Sequence, residues 1–186
     1  FVPIGYLLVG IFFFFSGFGL YKSYAEKPDY LQGFLGRRCL VPILTLILTT
    51  FAMVCVHAKL GKQITFSGPF RLTGPVMLNG YSWFIYTLLI FYVLFYHAFK
   101  HCKTEKSAIT WVLIGVLLYI FFCDWWTYGT WWYNSALLFV VGILFARHET
   151  GLIRHMCKYY KYYLPLCLIT TCILFVLGEY TQNAFV

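Results

Sequence analysis

Residues 40–57 read LVPILTLILTTFAMVCVH, eighteen consecutive positions without an Asp, Glu, Lys or Arg. That run decides the class of fold. A helix rises 1.5 Å per residue, so about 20 apolar residues cross a hydrocarbon core about 30 Å thick, and about 17 to 25 are tolerated. Working outward from Leu40–His57, five further segments reach that length or come near it: Ile4–Tyr21, Tyr81–Phe99, Ser107–Cys123, Trp131–Ala146 and Tyr160–Gly178. Lipid offers the backbone no hydrogen-bond partner, so each segment must be a helix or a strand of a closed barrel. Barrel strands would alternate with period two over about ten residues, and nothing here does so for long. The expected fold is an all-α integral membrane protein, a multi-pass helical bundle of about six transmembrane helices forming one domain over residues 1–186. The chain starts at Phe1 without Met or a signal peptide, so further helices are expected upstream and downstream.

Composition supports the same class. Of the 186 residues, 61% are hydrophobic and 11% charged, against roughly 45 to 50% and about 25% in soluble domains. A soluble fold of this size has no means of hiding that much apolar surface. Aromatic residues at 23% exclude disorder. The net charge of +8 would suggest nucleic acid in a soluble protein, but here the basic residues lie between apolar runs and set topology, so no nucleic acid partner is expected. Four Lys and Arg follow the first span, three the second, three the third, none the fourth and four the fifth. The first, third and fifth loops, counted with Lys161 at the start of the sixth span, therefore carry eleven of the fourteen and are assigned to the cytoplasm, with the second and fourth loops outside. The seven cysteines form no C-x-x-C pair, and no disulfide framework or metal site is implied.

The richest loop is KSYAEKPDYLQGFLGRR, residues 22–38. Pro28 and Asp29 can start a short interfacial helix, with Asp29 as its cap and Tyr30, Leu31, Phe34 and Leu35 on one face. Such a helix delivers Arg37 and Arg38 to the cytoplasmic mouth of the next span. Arginine holds phosphate or carboxylate by a two-pronged hydrogen bond and stays charged, although a basic pair in this place also serves as a plain membrane anchor.

Upstream, FFFFSGFGLYKSY at residues 12–24 interrupts a wall of phenylalanine with Ser16, Gly17 and Gly19, a notch where helices can pack closely. Together with YLQGFLGRRCLVPIL at residues 30–44, it resembles the aromatic Ser-Gly helix, cytoplasmic loop, arginine turn and proline-bearing helix of membrane acyltransferase family 3. GYSWFIYTLLIFYVLFY at residues 80–96 and WWYNSALLFVVGILFARHE at residues 131–149 are similar to later helices of that family. The resemblance implies a membrane-bound O-acyltransferase that moves an acyl group, commonly acetyl, from acyl-CoA to a hydroxyl of a saccharide or other cell-envelope acceptor. It implies a bacterial plasma membrane, acyl-CoA as co-substrate and no bound cofactor. Donor binding falls to Arg37 and Arg38, which are adjacent here where the family usually spaces two arginines about a turn apart. The family's catalytic histidine belongs to a helix expected upstream of Phe1, so no catalytic residue is assigned within this chain and the fragment alone is expected to be inactive.

Acyl transfer also needs an acceptor site on the far side. His57, Asp124 and Glu179 sit at outward helix ends, and CDWWTYGTWWYN at residues 123–134 adds Trp125 and Trp126, whose indoles stack on sugar rings. His57, Asp124, Trp125 and Trp126 are the candidate acceptor residues, although an aromatic membrane belt has the same composition. His97 and His101 lie four apart, a spacing that can clasp a metal, but Lys100 lies between them and no acidic partner is near, so they read as a helix-end anchor with no metal assigned. His148 and His155 read likewise. Thr45, Thr49 and Ala52 form a weakly polar stripe expected to face other helices. The rival to the enzyme is a non-catalytic transporter or flippase-like multi-pass protein, to which glycine- and aromatic-rich spans are also suited.

Overall fold

The computed structural model describes residues 2–61 and 83–183, except the side chains of residues 2–4, 6, 171, 172 and 174–183. The described backbone consists of helices and turns. In chain order they are α1 (Val2–Glu26), α2 (Phe34–Lys59), α3 (Trp83–His101), α4 (Glu105–Trp125), a 3-10 turn (Thr130–Trp132), α5 (Leu137–Arg147) and α6 (Glu149–Asn183). The chain divides into two compact units, Phe1–Arg147 and His148–Val186.

In the first unit α1, α3, α4 and α5 share one aromatic core. Phe13, Phe91 and Phe139 are fully buried, with ring centroids 5.6 Å apart between the first two and 5.2 Å between the last two. Phe95 and Phe99 stack at 4.3 Å toward the other end. The helices approach closely because glycine faces backbone. A Cβ on Gly17 would overlap the carbonyl oxygen of Phe139, and one on Gly142 would overlap that of Phe14. The Ser-Gly notch of the first span is therefore the seat of α5. Helices α1 and α5 run in the same sense, Gly10 facing Ser135 and Leu138 while Phe18 meets Phe145. Helices α3 and α4 run oppositely, Thr87 meeting Tyr119 and Leu94 meeting Gly115. Thr104 caps α4, its hydroxyl accepting from the Ser107 amide at 3.2 Å.

Among the described residues four helices are long and apolar enough to cross a membrane, or up to five if the broken pair Thr130–Arg147 and Glu149–Thr170 counts as one. The multi-pass all-α class thus holds, while the fifth expected span, Trp131–Ala146, is shorter than its sequence implies. Only Leu137–Arg147 is α-helical, eleven residues or about 16 Å of rise, half the apolar core. The cause lies in the preceding turn. Trp132 is buried against Trp83 and Tyr128, at 6.0 and 5.3 Å between rings, and its carbonyl accepts from the Tyr119 hydroxyl at 3.2 Å. With that carbonyl engaged by α4, the chain advances by short turns, and the helix starts after Ala136.

Helix α2 belongs to the bundle only at its start, where Phe34 and Cys39 are its buried residues. Beyond them Leu44, Ile47, Leu48 and Phe51 are exposed. The Thr45, Thr49 and Ala52 stripe faces no other helix among the described residues: all three are exposed, and the hydroxyls bond back to the carbonyls of Val41 and Thr45, at 2.9 and 2.8 Å. That satisfies them within their own helix.

In the second unit α6 leaves helical geometry at Tyr159 (φ −114°, ψ 16°), one residue before the expected start of the sixth span. His155 hydrogen-bonds the Tyr163 hydroxyl at 3.0 Å and packs on Tyr159, bridging the break.

Candidate functional site

The turn between α1 and α2 carries the candidate donor site. After Glu26 the chain does not form the short helix expected at Pro28. It descends through successive turns, with Tyr30 N–H bonded to Lys27 O, Gln32 N–H to Asp29 O and Phe34 N–H to Leu31 O. Two causes are visible. Gly33 is left-handed (φ 65°, ψ 16°), a conformation that ends a helical run and suits glycine. The Arg37 guanidinium reaches back to the carbonyls of Tyr30 and Gln32, so these groups point outward to a side chain. Asp29 caps no backbone amide; its carboxylate accepts from the Gln32 side-chain amide at 2.7 Å. Of the predicted apolar face, Tyr30 and Phe34 are buried, Leu31 is half-buried and Leu35 is exposed.

These turns enclose a cleft of about 460 Å³, lined by Lys27, Pro28, Asp29, Tyr30, Phe34, Arg37 and Arg38. Three of these residues are cations and one is an anion. Arg38 donates through Nε to the Tyr30 hydroxyl at 3.0 Å, and its guanidinium carbon lies 5.8 Å from the centroid of the same ring. Tyr30 packs edge-on against Phe34 at 5.5 Å, and Phe34 stacks on Phe95 and Tyr96 of α3. Behind the cleft the buried Tyr92 packs edge-on against Phe34 at 6.3 Å and lies near both Ser16, the serine of the aromatic Ser-Gly segment, and Arg38. The stretches FFFFSG (residues 12–17) and GRR (residues 36–38) thus approach each other around one tyrosine of α3.

The proposed acceptor residues are arranged differently. Asp124 is exposed and accepts from the Tyr133 hydroxyl at 3.1 Å. Trp125 is tilted against Phe121 and Trp126 stacks on Phe122, each residue four positions back, and both indoles remain exposed. His57 turns Nδ1 to the Met53 carbonyl of its own helix at 2.9 Å. The side chain of Glu179 lies outside the described residues, as do Gly80, Tyr81 and Ser82 of the stretch beginning GYSW. His97 and His101 stack in parallel, 5.9 Å apart and 6° from coplanar directions, beside a second cleft of about 360 Å³ lined also by Leu94, Ala98, Cys102 and Trp111. Among the described residues no three His, Cys, Asp or Glu side chains converge to hold a metal.

Residues 1–185 match the family model described as an acyltransferase domain. The chain belongs to membrane acyltransferase family 3. It is accordingly a membrane acyltransferase domain, and the resemblance of its first two helices extends over nearly the whole sequence. No curated protein and no solved structure matches it. For this acyltransferase the sequence pointed to Arg37 and Arg38 but not to Lys27, Tyr30 or Tyr92 as their surroundings. Tyr30 carried a signal only as an apolar residue of a helix that does not form, and Tyr92 was one aromatic among many in its span.

Proposed function

We propose that this acyltransferase takes an acyl group, acetyl in the simplest case, from acyl-CoA at the cytoplasmic face and transfers it to a hydroxyl of a saccharide or other cell-envelope acceptor. The observation that carries the reading is the cationic cleft between α1 and α2. Its volume of about 460 Å³ falls within the range of about 300 to 1,000 Å³ usual for small-ligand sites. Its excess of Lys27, Arg37 and Arg38 over Asp29 suits the phosphates of coenzyme A, which guanidinium groups bind by charge-assisted hydrogen bonds. The basic loop distribution puts this turn in the cytoplasm, where acyl-CoA is made.

The chemistry asks for three things. The acceptor oxygen must attack the thioester carbonyl, the bond to sulfur must break to release the CoA thiol, and the hydroxyl proton must pass to a base. None of the residues lining the cleft is a histidine, so the cleft is a binding site that holds the nucleotide end of the donor. The acceptor comes from the opposite face, past Asp124, Trp125, Trp126 and His57. In the intact protein, replacing Arg37 and Arg38 together by alanine is expected to abolish acyl transfer while insertion and abundance in the membrane stay unchanged. Arg38→Ala alone should lower transfer about a hundredfold at subsaturating donor, the equivalent of about 3 kcal/mol for a lost charge-assisted contact. Undiminished product from the double variant would remove the donor site from this turn.

A further inference from the structure

We infer that the two adjacent arginines have separate tasks, and that Tyr30 is the positioning residue that aims Arg38 into the cleft while Arg37 clasps the turn that carries Tyr30. The inference rests on the donor reading above and says how that site is built.

A free arginine at a membrane surface samples many rotamers, and ordering it costs about 2 kcal/mol of side-chain entropy. Arg38 is held in advance. Its Nε is engaged by the Tyr30 hydroxyl at 3.0 Å, and its guanidinium carbon lies 5.8 Å from the centroid of the same ring. A guanidinium offers an anion two forked faces, one through Nε and an adjoining Nη, the other through the two terminal nitrogens. Because Tyr30 occupies Nε, the terminal pair is the fork presented to a phosphate. Tyr30 is itself set by the core: it is 7% exposed, and the Phe34 ring that braces it is 1% exposed.

Arg37 acts on the same residue from behind. Its Nη2 donates to the carbonyls of Tyr30, at 3.0 Å, and Gln32. The backbone of Tyr30 is thus fixed by one arginine and its hydroxyl fixes the other. Adjacent helical positions point about 100° apart, so two neighbouring arginines cannot grip one phosphate from the same face. Here that divergence is put to use: one side chain turns back to the loop and the other turns to the cleft.

The test uses the intact protein in membranes, with acetyl-CoA titrated as donor. Tyr30→Phe keeps the ring, its packing on Phe34 and the cation contact, and removes only the hydroxyl. The expected result is a rise of about tenfold in KM for acetyl-CoA, the factor of one lost hydrogen bond to a charged group, with kcat within about twofold and thermal stability unchanged. Arg38→Lys, which cannot form the fork, should raise KM at least as far, and adding Tyr30→Phe to it should raise KM no further. A wild-type KM in Tyr30→Phe, or effects that multiply in the double variant, overturns the positioning role. If Arg38→Lys also leaves KM unchanged, the donor reading itself has failed. If only Tyr30→Phe is silent, the donor reading stands and this inference falls.

Discussion

Thr127 is the described residue, glycine aside, that adopts a positive φ, at 55°. It follows the end of α4, where Thr127 N–H bonds Asp124 O and Tyr128 N–H bonds Cys123 O, the pattern of a helix closed by a left-handed residue. A β-branched side chain in that region is strained by about 1 to 2 kcal/mol, whereas glycine is free of that strain but loses roughly 0.5 to 1 kcal/mol in chain entropy. Thr127→Gly should therefore stabilise the protein by about 1 kcal/mol, visible as a higher thermal midpoint in detergent. A lower midpoint would mean that the threonine side chain makes a contact worth more than its strain. Arg37 and Arg38 stand out in a chain with few charges. Their partners do not, because Tyr30 and Arg38 lie on opposite sides of the left-handed Gly33, and helical spacing does not carry across that break.

Among the helices, two glycines of one motif have different roles. Gly17 faces the Phe139 carbonyl, and backbone cannot move aside, whereas among the described residues nothing lies within 4 Å of a Cβ placed on Gly19. Gly17→Ala should force α1 and α5 apart and cost about 2 kcal/mol or more in detergent unfolding, in the range of overpacked cores. Gly19→Ala should be neutral or slightly stabilising, since alanine favours helix. Equal effects of the two would contradict the close crossing. The existence of α1, α2, α3 and α4 was legible from apolar runs, with ends displaced by a few residues. The length of α5 was not. Its run is as apolar as the others, yet burial of Trp132 and the bond from Tyr119 to its carbonyl replace the first turns of helix by tight turns.

Across the whole protein, the alternation of basic loops makes a prediction that labelling can check. In a variant lacking its native cysteines, a cysteine at the exposed position Lys103 should react with an impermeant thiol reagent only when the cytoplasmic face is open. One at the exposed position Thr130 should react from outside intact cells. The reverse pattern would put the arginine turn on the wrong side for acyl-CoA.

The amino-acid sequence by itself determined the solvent of this protein, its helical class and its family. Long uncharged runs have no stable place in water, and lipid leaves runs that lack the period-two alternation of a barrel no structure but helix. What only the tertiary structure decided was the meeting of Ser16, Tyr92, Tyr30 and Arg38, the truncation of α5, and which glycine faces a backbone. These depend on how side chains from distant segments fill one space, and residue spacing along a single helix does not contain that information.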